Sequence, residues 1–553
     1  MQFTSPEFIA FCLIVYGLYL GLAASFRLQN YMLLVASYVF YGWWDTRFLF
    51  LVALSTTVDF WVGLMIENGR LERAQQFLPA VFLLASAVAF LGISPGALSA
   101  CIRGHSAQCS LIALPTFGWS LAGTVAFLAL VLSLFLLFER LAAPRRRICC
   151  LMVSLVTQLG LLAVFKYFNF FIESLYAALQ SVGLHSLAPH LNIVLPVGVS
   201  FYTFQSLSYT IDIYRRQFKP TERFFDFALF VAYFPQLQAG PIERARQLLP
   251  QLSRARRLTF EQISQGLYLL VFGFFKKIAI ADGVSPVVDQ IFGSGGRISW
   301  IDVIAGTALF AVQIYCDFSG YTDIARGISK LLGIDLVINF NQPYFATNPQ
   351  EFWRRWHISL STWLRDYLYV SLGGNRGTLG FTCRNLLLTM VIGGLWHGAA
   401  WNFVLWGFYQ GCALCIYRIW THYWDTRLTS VSERQPTWER AARRLGAHAV
   451  FLVIIGYGWL LFRAHSLGQI EAFTSLLITD FGDLDYGAGA PRLSALLGMC
   501  LLFVLELAQH WQATPLYYRG FPVPVRGLLI AATLAITIMG MSNEPAQFIY
   551  FQF

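Results

Sequence analysis

EFWRRWHISLSTWLRDYLYVSLGGNR, residues 351–376, sets His357 among arginines within a tryptophan-rich amphipathic stretch. Further on comes GGLWHGAAWNFVLWG, residues 393–407, where His397 sits in an almost wholly apolar run. An ionisable group at membrane depth is expensive and is rarely kept unless it is used. The two histidines, one in a polar rim and one buried, read as a chemical site inside a membrane protein.

Composition agrees. Hydrophobic residues make up 57% of the 553 and charged ones only 12%, against about 25% charged in soluble domains. The mean hydropathy is +0.58. Apolar runs long enough to cross ~30 Å of hydrocarbon recur along the whole length. They are continuous, whereas a β-barrel shows alternating segments of about ten residues. The expected fold is therefore an all-α polytopic membrane protein in a single domain, 1–553, with no separate soluble domain. The first apolar stretch lacks a basic flank and further spans follow it, so no cleavable signal is expected. The net charge of +10 lies mostly in short loops, which is the positive-inside pattern and not a nucleic-acid footprint.

Hydropathy places candidate spans at 7–26, 31–44, 48–66, 77–93, 119–139, 148–172, 193–213, 225–240, 262–281, 301–318, 385–397, 400–418, 446–462, 493–510 and 524–541. Several are shorter than the ~20 residues of a straight crossing, so about eleven to thirteen true crossings with re-entrant segments are expected. Arg70 and Arg73, then Arg145, Arg146 and Arg147, then Arg215, Arg216 and Lys219 fall on one side if spans alternate, and the basic side is cytoplasmic. Reading 225–240 as re-entrant brings Arg244, Arg246, Arg254, Arg256 and Arg257 to that side too. The N-terminus is then periplasmic, with loops 94–118 and 178–192 and the acidic stretch of Asp480, Asp483 and Asp485. Segment 419–445 reads as a loop with a helical turn or two.

Of the ten cysteines, most lie in or beside apolar spans as small hydrophobes. Cys412 and Cys415 have no second pair nearby, so no metal site is expected. Cys101 and Cys109 share a loop assigned outside, where they either pair or stay free thiols.

Read as one helix, 353–367 places Trp353, Trp356, Leu360, Leu364 and Tyr367 on one stripe and Arg354, His357, Ser361 and Arg365 on another. Such a helix suits the wall of a polar cavity, although Arg354 and Arg365 alone would serve equally as interfacial anchors. His397 is flanked by Trp396 and by small residues that allow close backbone approach. A buried neutral imidazole can accept a proton at one nitrogen while the other is held. VQIYCDFSGYTDIARG, residues 312–327, brings Asp317, Asp323 and Arg326 to the end of an apolar run, and Asn339, Asn341, Gln342 and Asn348 follow. That density points to a hydrated cavity with non-helical backbone. Asp323 and Arg326 also suit a simple i,i+3 pair. Lys276 and Lys277 near a span end offer cations for headgroups or phosphates. There is no GxxxxGK[ST], GxGxxG after a strand, or HExxH. The GISPG around Ser94 puts Pro95 where an oxyanion hole needs an N–H. With no nucleophile set out, direct transfer to a substrate hydroxyl deprotonated by His397 is the economical chemistry.

LPVGVSFYTFQSLSYTIDIYR (195–215), FPQLQAGPIER (234–244), FGFFKKIAIAD (272–282), VQIYCDFSGYTDIARG and INFNQPY (338–344), with both histidine stretches, resemble the membrane-bound O-acyltransferase family. The similarity runs in register over 31–418, its motifs over 195–418, and the C-terminal helices are expected within 446–541. The ending FIYFQF adds to the likeness, whereas 94–118 and 463–492 match nothing in the family. Within it the chain resembles the bacterial branch that acetylates exopolysaccharides such as alginate.

The resemblance implies a ring of helices around a central tunnel, with His397 as the buried catalytic histidine and His357 as its upstream partner. It implies no bound cofactor, with acetyl-CoA or another acyl thioester entering from the cytoplasm as donor substrate. Arg354, Arg355, Arg365, Asn341, Asp317 and Trp396 are the expected donor- or substrate-binding residues. A polysaccharide acceptor such as alginate or cellulose would arrive at the other face of a bacterial inner membrane, with membrane lipid around the chain. A periplasmic acetyltransferase or polymer-synthesis protein is the expected partner. D-alanyl transfer to teichoic acid and lipid acylation keep the same chemistry, and broken helices with midplane polar groups also fit a transporter.

Overall fold

The structure, a computed structural model, describes residues 1–92, 114–184, 189–191, 194–238, 240–293, 298–432, 437–482, 485–512, 520–542 and 548–549. Regular structure among them is entirely helical. Nine described helices are long and apolar enough to cross a membrane: Phe48–Asn68, Arg73–Gly92, Gly118–Glu139, Ala143–Ser181, Trp300–Leu331, Leu379–His397, Trp438–Arg463, Leu493–Gln512 and Val523–Gly540. Pro6–Gly21 is apolar but shorter. Cys101, Cys109, Ser94, Asp483 and the last four residues lie outside the described residues.

The chain divides into two compact units, Met1–Ile263 with Ser329–Leu336, and Ser264–Ile328 with Val337–Phe553. The first is organised around Phe48–Asn68, 89% of whose most apolar window is buried. A polar seam crosses three of its helices. Gln158 Nε2 donates to Asp59 Oδ2 at 2.8 Å and to Ser55 Oγ at 2.7 Å, Ser55 meets Ser206 at 3.2 Å, and Ser154 meets Thr210 at 3.0 Å. Away from water each such bond is worth making because leaving the group unpaired costs several kcal/mol.

Segment 225–240 is a nine-residue helix, Phe224–Ala232, broken at Tyr233 and followed by Phe234–Leu237. At 1.5 Å per residue the longer piece reaches only ~14 Å, too short to cross. Of the five arginines behind it, Arg244 is buried, and Arg256 donates to Tyr19 Oη at 2.8 Å and Asn30 Oδ1 at 2.9 Å. Those two are structural ties and not loop charges.

The helix Phe260–Phe274, within the second unit from Ser264 onward, passes through a π-helical segment, Phe275–Ala281, into Asp282–Gly293. It packs against Trp300–Leu331 through glycines: a Cβ on Gly273 would lie 2.7 Å from the Gly320 carbonyl oxygen, and one on Gly327 2.8 Å from that of Gly266. Trp300–Leu331 is longer than the span expected at 301–318, so Asp317, Asp323 and Arg326 are helical. Non-helical backbone begins only at about 332 and runs to 342. Segment 419–445 is also not a loop. Helices Trp401–Ser432 and Thr437–Arg463 occupy most of it, the second beginning in ERAARRL (439–445), a run of good helix formers.

Candidate functional site

His397 is the last residue of Leu379–His397, and a short turn joins it to Trp401–Ser432. Glycines let the two helices touch backbone to backbone. A Cβ on Gly394 would sit 3.0 Å from Gly407 Cα and closer still to the Phe403 carbonyl oxygen. The close approach delivers His397 into a box of rings: Trp396 at 5.0 Å, Trp406 at 5.1 Å and Phe462 at 5.3 Å between centroids. The histidine keeps 6% of its surface accessible.

His357 reaches the same box by a different device. The single amphipathic helix expected over 353–367 does not exist. Pro349–Arg355 ends, His357 takes left-handed backbone (φ 42°, ψ 54°), and Ile358–Trp363 starts anew before a π-helical turn at Leu364–Tyr369. Left-handed non-glycine residues are uncommon and hold only when their surroundings fix them. Here the extended segment before it does so. Ile358 N donates to the Asn339 carbonyl at 2.9 Å, and Asn339 Oδ1 accepts from Ser359 N at 3.2 Å and Ser359 Oγ at 3.0 Å. The break turns His357 inward, with no exposed surface, while Arg354 and Arg365 stay exposed. The shared polar stripe is thus overturned by one residue's backbone angle.

The imidazoles of His357 and His397 have centroids 6.5 Å apart with their planes inclined at 53°, Trp396 lying 6.0 Å from His357 and Phe318 packing at 4.7 Å. His357 lies in the connection between spans, and burial lowers its proton affinity to a pKa of about 3, so the ring is neutral. With His357 enclosed and neutral and His397 keeping a small accessible surface, the arrangement can accept a hydroxyl proton at His397. Among the described residues no group of His, Cys, Asp and Glu side chains is placed to hold a metal ion.

The other expected site residues divide. Trp396 belongs to the box. Arg355 pairs with Glu351 at 2.8 Å, Arg365 with Asp366 at 2.7 Å, and Arg354 is exposed beside them. Asn341 is exposed, and it is its backbone that meets Arg355 O at 2.9 Å. Asp317 is not a substrate contact in this arrangement. It shares Lys277 Nζ, at 2.9 Å, with Asp282, at 2.8 Å, and accepts the Ile549 amide at 2.7 Å. Lys276 pairs with Asp323 at 2.5 Å. Both lysines are buried, which removes them as headgroup or phosphate cations. Asp323 does meet Arg326, at 3.3 Å. Trp406 and Phe462 were not singled out from sequence, and Asn339 was read only as one of a polar cluster, not as the residue that fixes the turn at His357. Trp406 stood in the quoted His397 run, but nothing in spacing separates an indole facing a histidine from one facing lipid.

Helices of membrane-crossing length and two buried imidazoles 6.5 Å apart define an integral membrane protein with an internal histidine pair. The model of the family "MBOAT, membrane-bound O-acyltransferase family" matches residues 219–459, and the chain belongs to that family. It is an O-acyltransferase. It is 38% identical over 487 residues, 87% of this chain and 79% of the relative, to the "Probable alginate O-acetylase AlgI" of Azotobacter vinelandii. The protein of that name from Pseudomonas putida is 36% identical over 584 aligned positions, covering both chains fully. The "Peptidoglycan O-acetyltransferase" of Helicobacter pylori is 39% identical over 298 residues, 49% of this chain and 56% of that one.

Proposed function

We propose that this chain transfers acetyl groups from acetyl-CoA or another acyl thioester to hydroxyls of an exopolysaccharide, alginate or a polymer of similar chemistry, at the periplasmic face of a bacterial inner membrane. The observation that carries the chemistry is the pair His397 and His357, 6.5 Å apart in an aromatic box that leaves only His397 a little accessible surface. Relatives named as alginate and peptidoglycan O-acetyltransferases support the acceptor class. His397, which keeps the accessible surface, takes the proton of the acceptor hydroxyl as its oxygen attacks the thioester carbonyl. The same imidazolium then protonates the departing thiolate. His357, neutral and fully enclosed, holds the facing ring environment and orients this exchange. Exposed Arg354, with Arg355, meets the anionic end of the donor by guanidinium–phosphate contacts. The N-terminus is periplasmic in this reading, and the acetyl group reaches the polymer directly or through a periplasmic partner protein.

The test is polymer acetylation by cells, and thioester turnover by purified protein, for His397→Gln. Loss of a general base costs about 10²–10⁴ in rate. Wild-type acetylation by a well-inserted variant refutes the assignment. Arg354→Glu and Arg355→Glu raise the donor KM in the same assay, more at low salt; unaltered donor kinetics leave them as anchors.

A further inference from the structure

Trp406 has an indole N–H with nothing to bond. The residue is 2% exposed, its ring lies 5.1 Å from that of His397 and at 87° to it, and its Nε1 has no hydrogen-bond partner among the described residues. An indole nitrogen only donates, and buried indole N–H groups normally find an acceptor. A buried donor left open beside a catalytic base calls for an explanation, and a ligand acceptor supplies one. The next ring along repeats the pattern. Trp353 lies 5.8 Å from Trp406, its buried Nε1 is likewise without a partner among the described residues, and Arg354 follows it in the chain.

We infer that Trp406 is a catalytic residue whose indole N–H holds the carbonyl oxygen of the acyl thioester, and that Trp353 receives the next carbonyl of the donor's arm. The inference rests on the acetyl-thioester reading above and deepens it. As the acceptor oxygen bonds to the carbonyl carbon, its proton passes to His397 and the C=O π pair moves onto oxygen. The resulting oxyanion is held by Trp406 Nε1–H. When the pair returns, the C–S bond breaks, and the thiolate takes the proton from His397, giving an ester and a free thiol. A donor fixed in a dry site and aimed at developing charge is worth far more than one in water. The line from exposed Arg354 through Trp353 and Trp406 to His397 gives the donor one continuous bearing, phosphates outermost and acyl carbon innermost.

The experiment compares wild type, Trp406→Phe, and a variant with β-(3-benzothienyl)alanine at 406, which keeps the indole shape but replaces N–H by sulfur. Removing one oxyanion donor typically lowers kcat about 10²–10³-fold. Both variants are expected to show that loss, with donor KM changed by no more than a few-fold. The benzothienyl variant guards against a packing defect in the phenylalanine one. Binding gives a second readout, with acetonyl-CoA, a ketone that cannot be cleaved, set against S-ethyl-CoA, which has no carbonyl. Trp406→Phe weakens the ketone several-fold and leaves the thioether unchanged. Wild-type kcat in the benzothienyl variant, or equal weakening of both ligands, overturns the inference while leaving the functional reading intact. A wild-type protein that turns over no acetyl thioester overturns that reading itself.

Discussion

Replacing Lys277 by methionine tests the largest reassignment that the structure makes. Lys277 Nζ lies 2.8 Å from Asp282 and 2.9 Å from Asp317, and the three side chains are 1%, 5% and 3% exposed. Water therefore screens almost none of the interaction. Methionine fills similar volume but leaves two carboxylates facing each other without a cation. Breaking a buried ion pair by removing one partner costs about 3–5 kcal/mol, because the remaining charge is uncompensated. With two carboxylates sharing the one lysine, a loss near the upper end, about 5 kcal/mol, is expected. That is comparable to the whole stability of many domains. The assay is membrane abundance together with thermal unfolding of purified protein in detergent. The triple variant Lys277→Met, Asp282→Asn, Asp317→Asn restores most of the loss. Both negative charges leave with the cation, and the amide oxygen introduced at position 317 still accepts from the Ile549 N–H. A single variant as stable as wild type, or a triple variant no better than the single, refutes the structural triad and returns Lys277 to a headgroup-facing role.

Asn339→Ala removes the oxygen that accepts from Ser359 N–H and hydroxyl, a loss of about 1–3 kcal/mol, and frees the turn that aims His357. Thioester turnover falls with it, whereas Asn339→Asp, which still accepts both bonds, retains most activity. Gly394→Ala fails to accumulate as folded protein, because its Cβ meets backbone. Gly393→Ala is tolerated, since the nearest atom to its Cβ is the movable Leu364 Cδ1 at 3.0 Å; equal behaviour of the two refutes the close-approach reading. Burial of neutral His357 ties stability to pH. Its pKa is about 3 in the folded state and ~6.5 when unfolded, so the unfolded chain binds the extra proton between those values. Stability is complete above ~6.5 and declines as pH falls, by about 2 kcal/mol at pH 5. Detergent melting at pH 5 and pH 8 checks this, and His357→Asn flattens the difference.

The sequence by itself established the class. Continuous apolar runs and scarce charge dictate helices in a bilayer, because only internal hydrogen bonding satisfies a backbone there. It also picked out His397, since an imidazole beside Trp and Gly at that depth has few structural excuses, and His357, since a histidine among arginines adds nothing to interfacial anchoring. Period and spacing did not reach the geometry between them. The break at His357 depends on Asn339, and such a contact, between an extended segment and a turn, leaves no local signature. The same holds for Asp317, which read as a site group, and Lys277, which read as a headgroup or phosphate cation, until tertiary packing set them against each other and Asp282. Charge at membrane depth signals that a partner exists, but only the packed helices decide whether it is a substrate or another side chain.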